Sequence, residues 1–534
     1  MKLRNLFFVT AAMAGLFSAC SNEMDNAIDN GNGEQTKAEA YASISFTMPA
    51  GAVTRADAQV TPGTSAENNI NEVYFLLYKD GKLAQAPVKR ERADFAPGSA
   101  AGGAEVYTLK KEKNIPISTA GTYNVHVVVN PATTLTTITE GSNISVYENL
   151  VEQVAAKTGA YCTDNKFMMT NANNTVQAVV TKEHNINNAL SITIPVERLA
   201  AKMTFKSNGA IDLGENGAFG KITFDAYKVI NTRNSAYDLR RVGTTQANAV
   251  IGAAEANYVV ENWFDEKNKG WNEAVWSPNY SRKMNTYVGF RKLDNKNAAQ
   301  PIAYCLENTI KESENLAKGY TTGVILRGKL DLKEGIIQGT KPATDFDGTF
   351  YKFRGVYYYT LSDIKTAFAN EDVLKYNSFK KPEDTDEAKY ITRISNQRNE
   401  LYDNLGIELF TKGYCYYYYW VRHNNGTDAA KAEPMEYVIV RNNVYQLAIK
   451  SVSGIGSFES GTPGPADPSQ PEVEPDNDPA NPNPEIPGEL APDQEPEIPA
   501  IPVQPDEPVI DNNMYLNVEI TVNPWTIRNN DIEL

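Results

Sequence analysis

Two stretches at opposite ends of the chain carry the same alternation. Near the start, Ala42, Ile44, Phe46 and Met48 alternate with Ser43, Ser45 and Thr47. Near the end, Met514, Leu516, Val518, Ile520 and Val522 alternate with Tyr515, Asn517, Glu519 and Thr521. A period of two predicts a β-strand with one apolar and one wet face in each place. Pro49 stops the first strand. In the second, Pro524 cannot donate a ladder hydrogen bond, and Trp525 and Ile527 resume the alternation in the opposite phase, which predicts a bulge or bend at Asn523-Pro524. Upstream of the tail, residues 462–508 are rich in Pro, Glu, Asp and Asn, hold about half of the chain's 28 prolines and cannot build a core. At ~3.1 Å per residue such a tether reaches on the order of 100 Å. A strand at its end need not complete the sheet of its own molecule.

Between these ends the pattern stays short-ranged. Residues 73–78, then Asp80-Gly81, then Leu83 predict strand, tight turn, strand, with Asp-Gly supplying the positive φ angles. Residues 123–129, 167–169 and 190–194 predict further strands of one β domain over 56–200. Residues 195–203 carry the chain into a second domain over 201–461, with aromatic strands at 222–230, 322–327, 351–359, 414–421 and 435–449. Ser145 and Glu148 have capping-box spacing, and Val146, Leu150, Val151 and Val154 follow at helical spacing. Two more helices are expected at 362–368 and 387–405, the second on Ile391, Ile394, Leu401 and Leu405. Short strands separated by turn signals favour β-sandwiches over a parallel α/β sheet, so the fold class is all-β with a few short helices. A linker over 462–511 and a terminal strand over 512–534 complete the plan.

Composition agrees. Of 534 residues, 41% are hydrophobic and 22% charged, ordinary for a globular chain, and 29 Tyr, 35 Gly and 28 Pro lean toward β structure. The formal net charge of -15 argues against nucleic acid or an anionic membrane surface as a partner.

Lys2 and Arg4 precede an apolar run, residues 6–17, too short to span a bilayer, which ends in Phe17-Ser18-Ala19-Cys20. This resembles a bacterial lipoprotein signal over 1–19, with Cys20 as the lipidated first residue, although Phe17 stands where such signals usually have Leu. A simple secretory signal with an incidental Cys is the alternative. Several acyl carbons at ~0.8 kcal/mol per buried CH₂ would hold the product on a membrane. Ser21 follows the Cys where an Asp would retain such a protein at the inner membrane, so the outer membrane or surface is the expected address. Further on, Arg55-Ala56 sits between small residues outside any periodic segment, a form easily extended into a trypsin-like protease. A solvated linker arginine is the plain alternative, and Arg92-Ala93-Asp94 repeats the tripeptide.

A search for chemistry yields little. Cys162, Cys305 and Cys415 have no metal or redox spacing and read as buried or free thiols. Of the three histidines, none has a partner at metal-ligand spacing, and His126 between Val125 and Val127 reads as a satisfied strand residue. The Gly214 to Lys221 stretch is one residue too long for a P-loop and has Ile222 in place of the Mg²⁺-binding Ser or Thr. Asp345 and Asp347 begin like a calcium loop, but Val356 stands where a bidentate Glu is required. Acidic pairs for glycoside hydrolysis remain open, since spacing in sequence does not give separation in space. The aromatic run 416–420 could stack sugars, but in a strand its side chains alternate between faces, and core plus sheet surface is the better account. No catalytic residue, metal or cofactor is assigned.

The chain resembles the type V fimbrial shaft subunits (fimbrillins) of Gram-negative oral and gut anaerobes, most closely the shaft subunit of the minor, or short, fimbrium. The resemblance rests on residues 17–20, Thr54-Arg55-Ala56, the stretch from Val196-Glu197-Arg198 to Lys202, Val440-Arg441-Asn442-Asn443-Val444-Tyr445, the Pro-rich linker, and the tail from Leu516 to Trp525, all in family order. It implies two transthyretin-like β-sandwich domains and delivery to the outer membrane as a lipoprotein. It further implies a cut by a surface Arg-specific or trypsin-like protease, here between Arg55 and Ala56, within a lipidated leader over 20–55. In the family that cut releases the first strand and opens a groove, which the C-terminal strand of the next subunit fills. On this chain the removed strand would carry Ala42, Ile44, Phe46 and Met48, and the donor Met514, Leu516, Val518, Ile520, Val522, Trp525 and Ile527. Copies of itself and tip and anchor subunits are the implied partners, and adhesion and biofilm formation the implied role. A monomeric surface lipoprotein binding glycans or host ligands through aromatic strands is the alternative.

Overall fold

A computed structural model describes residues 27–28, 36–37, 40–47, 63–99, 105–131, 135, 138–148, 150–153, 162–163, 166–172, 176–206, 209–230, 232, 235–242, 250–251, 290–293, 300–309, 321–343, 346–423, 436–460, 473–474, 516–524 and 526–530. The protein is built on β-sheets, with the α-helices gathered in one insertion apart from Ile144–Glu148 among the described residues.

The first sheet runs Lys82–Leu83, Glu72–Lys79, Gly121–Val129, Met169–Asn171, Leu190–Arg198, Ala40–Thr47, Glu105–Leu109, Phe95–Ser99. Asp80 and Gly81 take φ of 49° and 75° at the turn after Glu72–Lys79, as the Asp-Gly pair requires. Its core gathers Phe75, Leu77, Val125, Val127, Met169 and Ile194, the inward positions of the strands expected there.

The second sheet runs Gln300–Cys305, Ala201–Lys206, Asn443–Val452, Ala210–Leu213, Gly220–Ile230, Phe290–Lys292, Val473–Glu474, and Gly323–Leu332 bridges Gly220–Ile230 to Tyr414–Trp420. Met203, Phe224, Leu326, Tyr417 and Leu447 lie in its core. The strand expected over 435–449 is shorter and later: it begins at Asn443, after Asn442 takes a left-handed φ of 55° that no extended strand allows.

Between Gly323–Leu332 and Tyr414–Trp420 an insertion folds on its own core of Tyr351, Leu361, Ile364, Tyr390, Leu401 and Leu409. Its small sheet orders Ile337–Gln338, Val356–Tyr358, Phe350–Phe353, Glu408–Phe410. Helix Leu361–Ala367 starts at a reciprocal cap, the Asp363 amide donating to Thr360 Oγ1 at 3.0 Å and the Thr360 amide to Asp363 Oδ2 at 2.9 Å. The single helix expected over 387–405 is two, Glu387–Ile394 and Arg398–Leu405: the Ser395 hydroxyl donates to the Thr392 carbonyl at 2.8 Å at the end of the first, and Gln397 leaves helical geometry before the second. The short helix Tyr376–Phe379 has no periodic signal in the sequence.

A second correction falls near residue 145. The helix is Ile144–Glu148, so Ser145 lies inside it and the Asn143 side chain accepts from the Ser145 amide at 2.9 Å. Val151–Gln153, expected to continue that helix, is a strand paired with Ser235–Tyr237. Pairing across units overrode a helical spacing of β-branched residues.

The two sheets share a seam. Ala236, Leu239, Tyr304, Leu306 and Val444 of the second unit pack into the core of the first. On the second unit's side of it Arg441 and Glu307 are both fully buried, 2.7 Å apart, and the Arg441 guanidinium also donates to the carbonyls of Tyr237 and Asp238 at 2.6 and 2.7 Å. Glu307→Ala would strand a buried guanidinium charge and is expected to cost ~3–5 kcal/mol, measured by chemical denaturation. The exposed pair of Arg354 and Glu371 should tolerate alanine with little change in the same assay.

Candidate functional site

The leading strand Ala40–Thr47 is interior to the first sheet. On one edge it pairs in parallel with Leu190–Arg198, from Leu190 opposite Ala42 to Pro195 opposite Thr47. On the other it pairs antiparallel with Glu105–Leu109, Ser45 opposite Thr108, and with Ile115–Ile117, Ala40 opposite Ile117. Ala42 and Ile44 are buried, as the alternation predicts, and Ala40, ahead of the stretch read as a strand, is buried with them. Ser45, on the polar face of the pattern, is buried too, with its hydroxyl donating to the Ile192 carbonyl at 3.1 Å. Such a strand cannot leave without unpairing backbone on both sides. The side chain of Phe46, together with Met48, Arg55, Ala56 and Cys20, lies outside the described residues.

The tail strand Leu516–Pro524 pairs antiparallel with Asn443–Val452 of its own second sheet, Val518 opposite Ile449, Ile520 opposite Leu447 and Val522 opposite Tyr445. Past Pro524 the chain reverses: Thr526–Asn530 runs antiparallel to the strand it follows, with Asn523 opposite Ile527 and Thr521 opposite Asn529. The expected bend is therefore a full reversal, and Ile527 belongs to the returning strand. Met514 and Trp525 lie outside the described residues.

Two stretches that the sequence singled out without a physical role meet each other at the seam. Arg198, buried at the end of Leu190–Arg198, donates from its guanidinium to Asn442 Oδ1 at 3.1 Å, to the Glu67 carbonyl at 3.1 Å, and to Asn68 Oδ1. The Asn442 amide donates to the Ala200 carbonyl at 2.9 Å. Lys202 donates to Glu67 Oε1 at 2.6 Å, and the Tyr304 hydroxyl donates to the same oxygen at 2.5 Å. Glu67 is 1% exposed. Burial alone would raise its pKa, but the charge and hydrogen bond of Lys202, with the bonds from Tyr304 and the Thr64 amide, outweigh that and hold the carboxyl below its usual range. Sequence reading missed Glu67, because nothing local distinguishes it from a solvated loop carboxylate.

The chemical search resolves toward structure. His126 is buried, its two ring nitrogens find no hydrogen-bond partner among the described residues, and it packs edge-on against Tyr78 and Tyr147 with centroids 5.9 and 5.2 Å away. It is thus an apolar-environment ring rather than a hydrogen-bonded one, and burial pushes it down to about 4. Cys162, Cys305 and Cys415 are buried, and burial pushes the Cys305 and Cys415 thiols up to about 12. In the aromatic run, Tyr416, Tyr417, Tyr419 and Trp420 are buried, which leaves no exposed stacking platform of successive rings. Residues 215–217 form a tight turn between two strands, and Asp347 accepts from the Thr349 amide at 2.8 Å, while Asp345 lies outside the described residues. Among the described residues no cluster of three or more His, Cys, Asp or Glu could hold a metal ion.

The chain thus has a leading strand interior to its first sheet, a terminal strand paired with its second, and two β units that share a core. Comparison then gives the class. The family profile described as "Major fimbrial subunit protein (FimA)" matches residues 42–224, and the profile described as "Major fimbrial subunit protein type IV, Fimbrillin, C-terminal" matches residues 408–531. The chain belongs to the fimbrillin family of fimbrial subunits, whose place is the cell surface. No curated protein matches it in sequence. Among solved structures it is similar to a fimbrilin from Porphyromonas gingivalis W83, at 14% identity and TM-score 0.40, over 93% of this chain and 100% of that one. It is similar also to the tip fimbrial protein Mfa3 from Porphyromonas gingivalis with C-terminal truncation, at 12% identity and TM-score 0.32, over 77% of this chain and 95% of that one. A fimbrial assembly protein from Parabacteroides distasonis ATCC 8503 is similar at 13% identity and TM-score 0.27, over 55% of this chain and 99% of that one. At these scores the structures carry no argument of their own, and membership rests on the two profiles.

Because the folded state holds Glu67 below its ordinary value of 4.5, its contribution to stability is full above that value and is lost as pH falls through the folded value. Glu67→Gln is expected to be less stable than the wild type near neutral pH, with the gap closing in acid below about pH 4.5, measured by denaturant unfolding across pH.

Proposed function

We propose that the protein is the structural shaft subunit of a type V fimbrium. In this reading it is exported as an outer-membrane lipoprotein through Cys20 and cut between Arg55 and Ala56 by a surface arginine-specific or trypsin-like protease. It then polymerises head to tail, the tail of one copy replacing the strand that carried Ala42, Ile44, Phe46 and Met48 in the next. Tip and anchor subunits complete the fibre, which supports adhesion and biofilm formation. The observation that carries the reading is the interior position of Ala40–Thr47, upstream of the arginine: its loss leaves a slot that only another strand fills.

Energetics favour the exchange. Met514, Leu516, Val518, Ile520 and Val522 entering a vacated apolar slot at ~1.5–3 kcal/mol each come to roughly 8–15 kcal/mol before the cost of ordering the tail. In the uncut chain the tail is engaged with Asn443–Val452, so insertion trades one set of ladder bonds for another, and the net gain comes from resealing the slot. Slot and donor lie on different parts of one molecule, so the contact does not close on itself and builds a filament.

Val518→Asp is expected to abolish the ladder of heat-resistant oligomers on a gel while the monomer stays folded; wild-type ladders from that variant would remove the donor role. Amino-terminal sequencing of assembled fibres is expected to begin at Ala56. Fibres that retain Cys20 would reassign the chain as an anchor or an unprocessed lipoprotein.

A further inference from the structure

The residues just past the cut are held unusually well for a loop. Residues 63–68 form a turn in which the Thr64 amide donates to Glu67 Oε2 at 2.8 Å, the Glu67 amide to Thr64 Oγ1 at 3.3 Å and the Asn68 amide to the Thr64 carbonyl at 3.0 Å. The turn's outward bonds go to both units: Arg198 from the end of the first sheet, Lys202 and Tyr304 from the second. Asn130 then grips the next residues, donating to the Asn69 carbonyl at 2.8 Å and accepting from the Asn71 amide at 2.8 Å, and Ile70 is buried in the first core. Glu72–Lys79, paired with Gly121–Val129 in that sheet, follows at once.

Position gives this grip a purpose. Thr47, where the leading strand ends, is opposite Pro195, and Arg198 stands three places further along the same strand, roughly 10 Å at ~3.3 Å per residue. The turn is therefore anchored beside the seam end of the slot that the leading strand occupies. A surface loop needs no buried ion pair of the kind made by Glu67 and Lys202, which are 2% and 12% exposed at their side chains.

We propose that residues 63–68 are a retention clamp: Glu67 and Asn68, held by Lys202, Tyr304 and Arg198, fix the chain downstream of the cut in the seam. Loss of the leading strand then stops there and does not unravel into Glu72–Lys79. Glu67 and Arg198 act as positioning residues for the new amino terminus and for the strand behind it. The proposal rests on the reading that a cut falls between the leading strand and residue 63, but not on which protease makes it or on polymerisation.

The test uses the full chain with a recognition sequence for a site-specific protease in place of residues 54–60, so that the cut is made on demand. Thermolysin cleaves before large apolar residues, and Ile70 is reached only when the turn lets go. Cleavage before Ile70, followed by mass spectrometry, is expected to remain slow in the cut wild type and to run ~10-fold faster or more in cut Glu67→Ala, as expected for breaking a buried pair. The uncut variant, tethered at both ends of the turn, should stay near the uncut wild type. Asn68→Ala, which removes one acceptor and leaves the ion pair, should show a smaller increase and guards against a misfolded Glu67 variant. Equal rates in cut wild type and cut Glu67→Ala would overturn the clamp, and so would an equal acceleration in the uncut variant, since the pair would then hold the loop whether or not the chain is cut. Fibres that begin elsewhere than Ala56 would alter the processing site and leave this comparison intact.

Discussion

The constraint on which the structure depends is that Ala40–Thr47 has hydrogen-bonded neighbours on both edges. An edge strand that leaves exposes one row of backbone groups to water, which can solvate them. An interior strand exposes two rows facing each other across a trough that Ala40, Ala42 and Ile44 had filled. Water in such a trough replaces the ladder poorly, because the walls are apolar and the groups lie in a fixed line. The sheet must then close up, which would shift the register of Leu190–Arg198 and expose its inward side chains, or accept a strand of the same pattern. The second outcome keeps every other contact in place.

The tail has that pattern in its sequence, and it is already a strand, paired with Asn443–Val452. This bears on the exchange proposed above. A tail with no partner would present an unpaired apolar strand, the usual seed of indiscriminate pairing. Engaged with its own second sheet its backbone is paired, and the proposed exchange would have to offer the same ladder in the slot. The linker is held at one more point, Val473–Glu474 pairing with Phe290–Lys292 at the far edge of the second sheet. That strand lies at the side of the sheet remote from Ala201–Lys206.

What could be read from the sequence was what the chain states locally. The alternations at 42–48 and 514–522 and the Asp-Gly turn each follow from neighbouring residues, and the strands at 73–78, 123–129, 190–194 and 222–230 fall where their patterns put them. Where tertiary pairing competes with local spacing, local spacing loses: Leu150, Val151 and Val154 are spaced as a helix, yet Val151–Gln153 is a strand because Ser235–Tyr237 offers it a partner. The stretches around Arg198 and Arg441 were recognisable as motifs, but their reason was invisible, since it lies in contacts more than two hundred residues apart, such as Arg198 to Asn442. Glu67 shows the limit most plainly. Its neighbours Thr64, Ser65 and Asn68 read as solvated loop, and only Lys202 and Tyr304 make it a buried charge.

Those long-range contacts also bear on why the seam is ionic. A buried ion pair adds little net stability, because desolvation offsets most of the attraction, and apolar residues of similar size would hold the two units together about as well. The difference lies in what happens when the units slip. An apolar seam shifted by a residue still buries apolar surface and loses a fraction of its packing. A seam crossed by the buried pairs of Glu67 with Lys202, at 2.6 Å, and Glu197 with Arg240, at 3.3 Å, leaves uncompensated charges after the same shift. The penalty for misalignment is thus steep while the depth of the correct arrangement stays ordinary. In the head-to-tail polymer proposed above the slot would be on the first unit and the donor would leave from the second, so every angular error at the seam would be repeated at each subunit and accumulate along the fibre. A joint that tolerates one alignment is worth more to such an assembly than one that is merely strong.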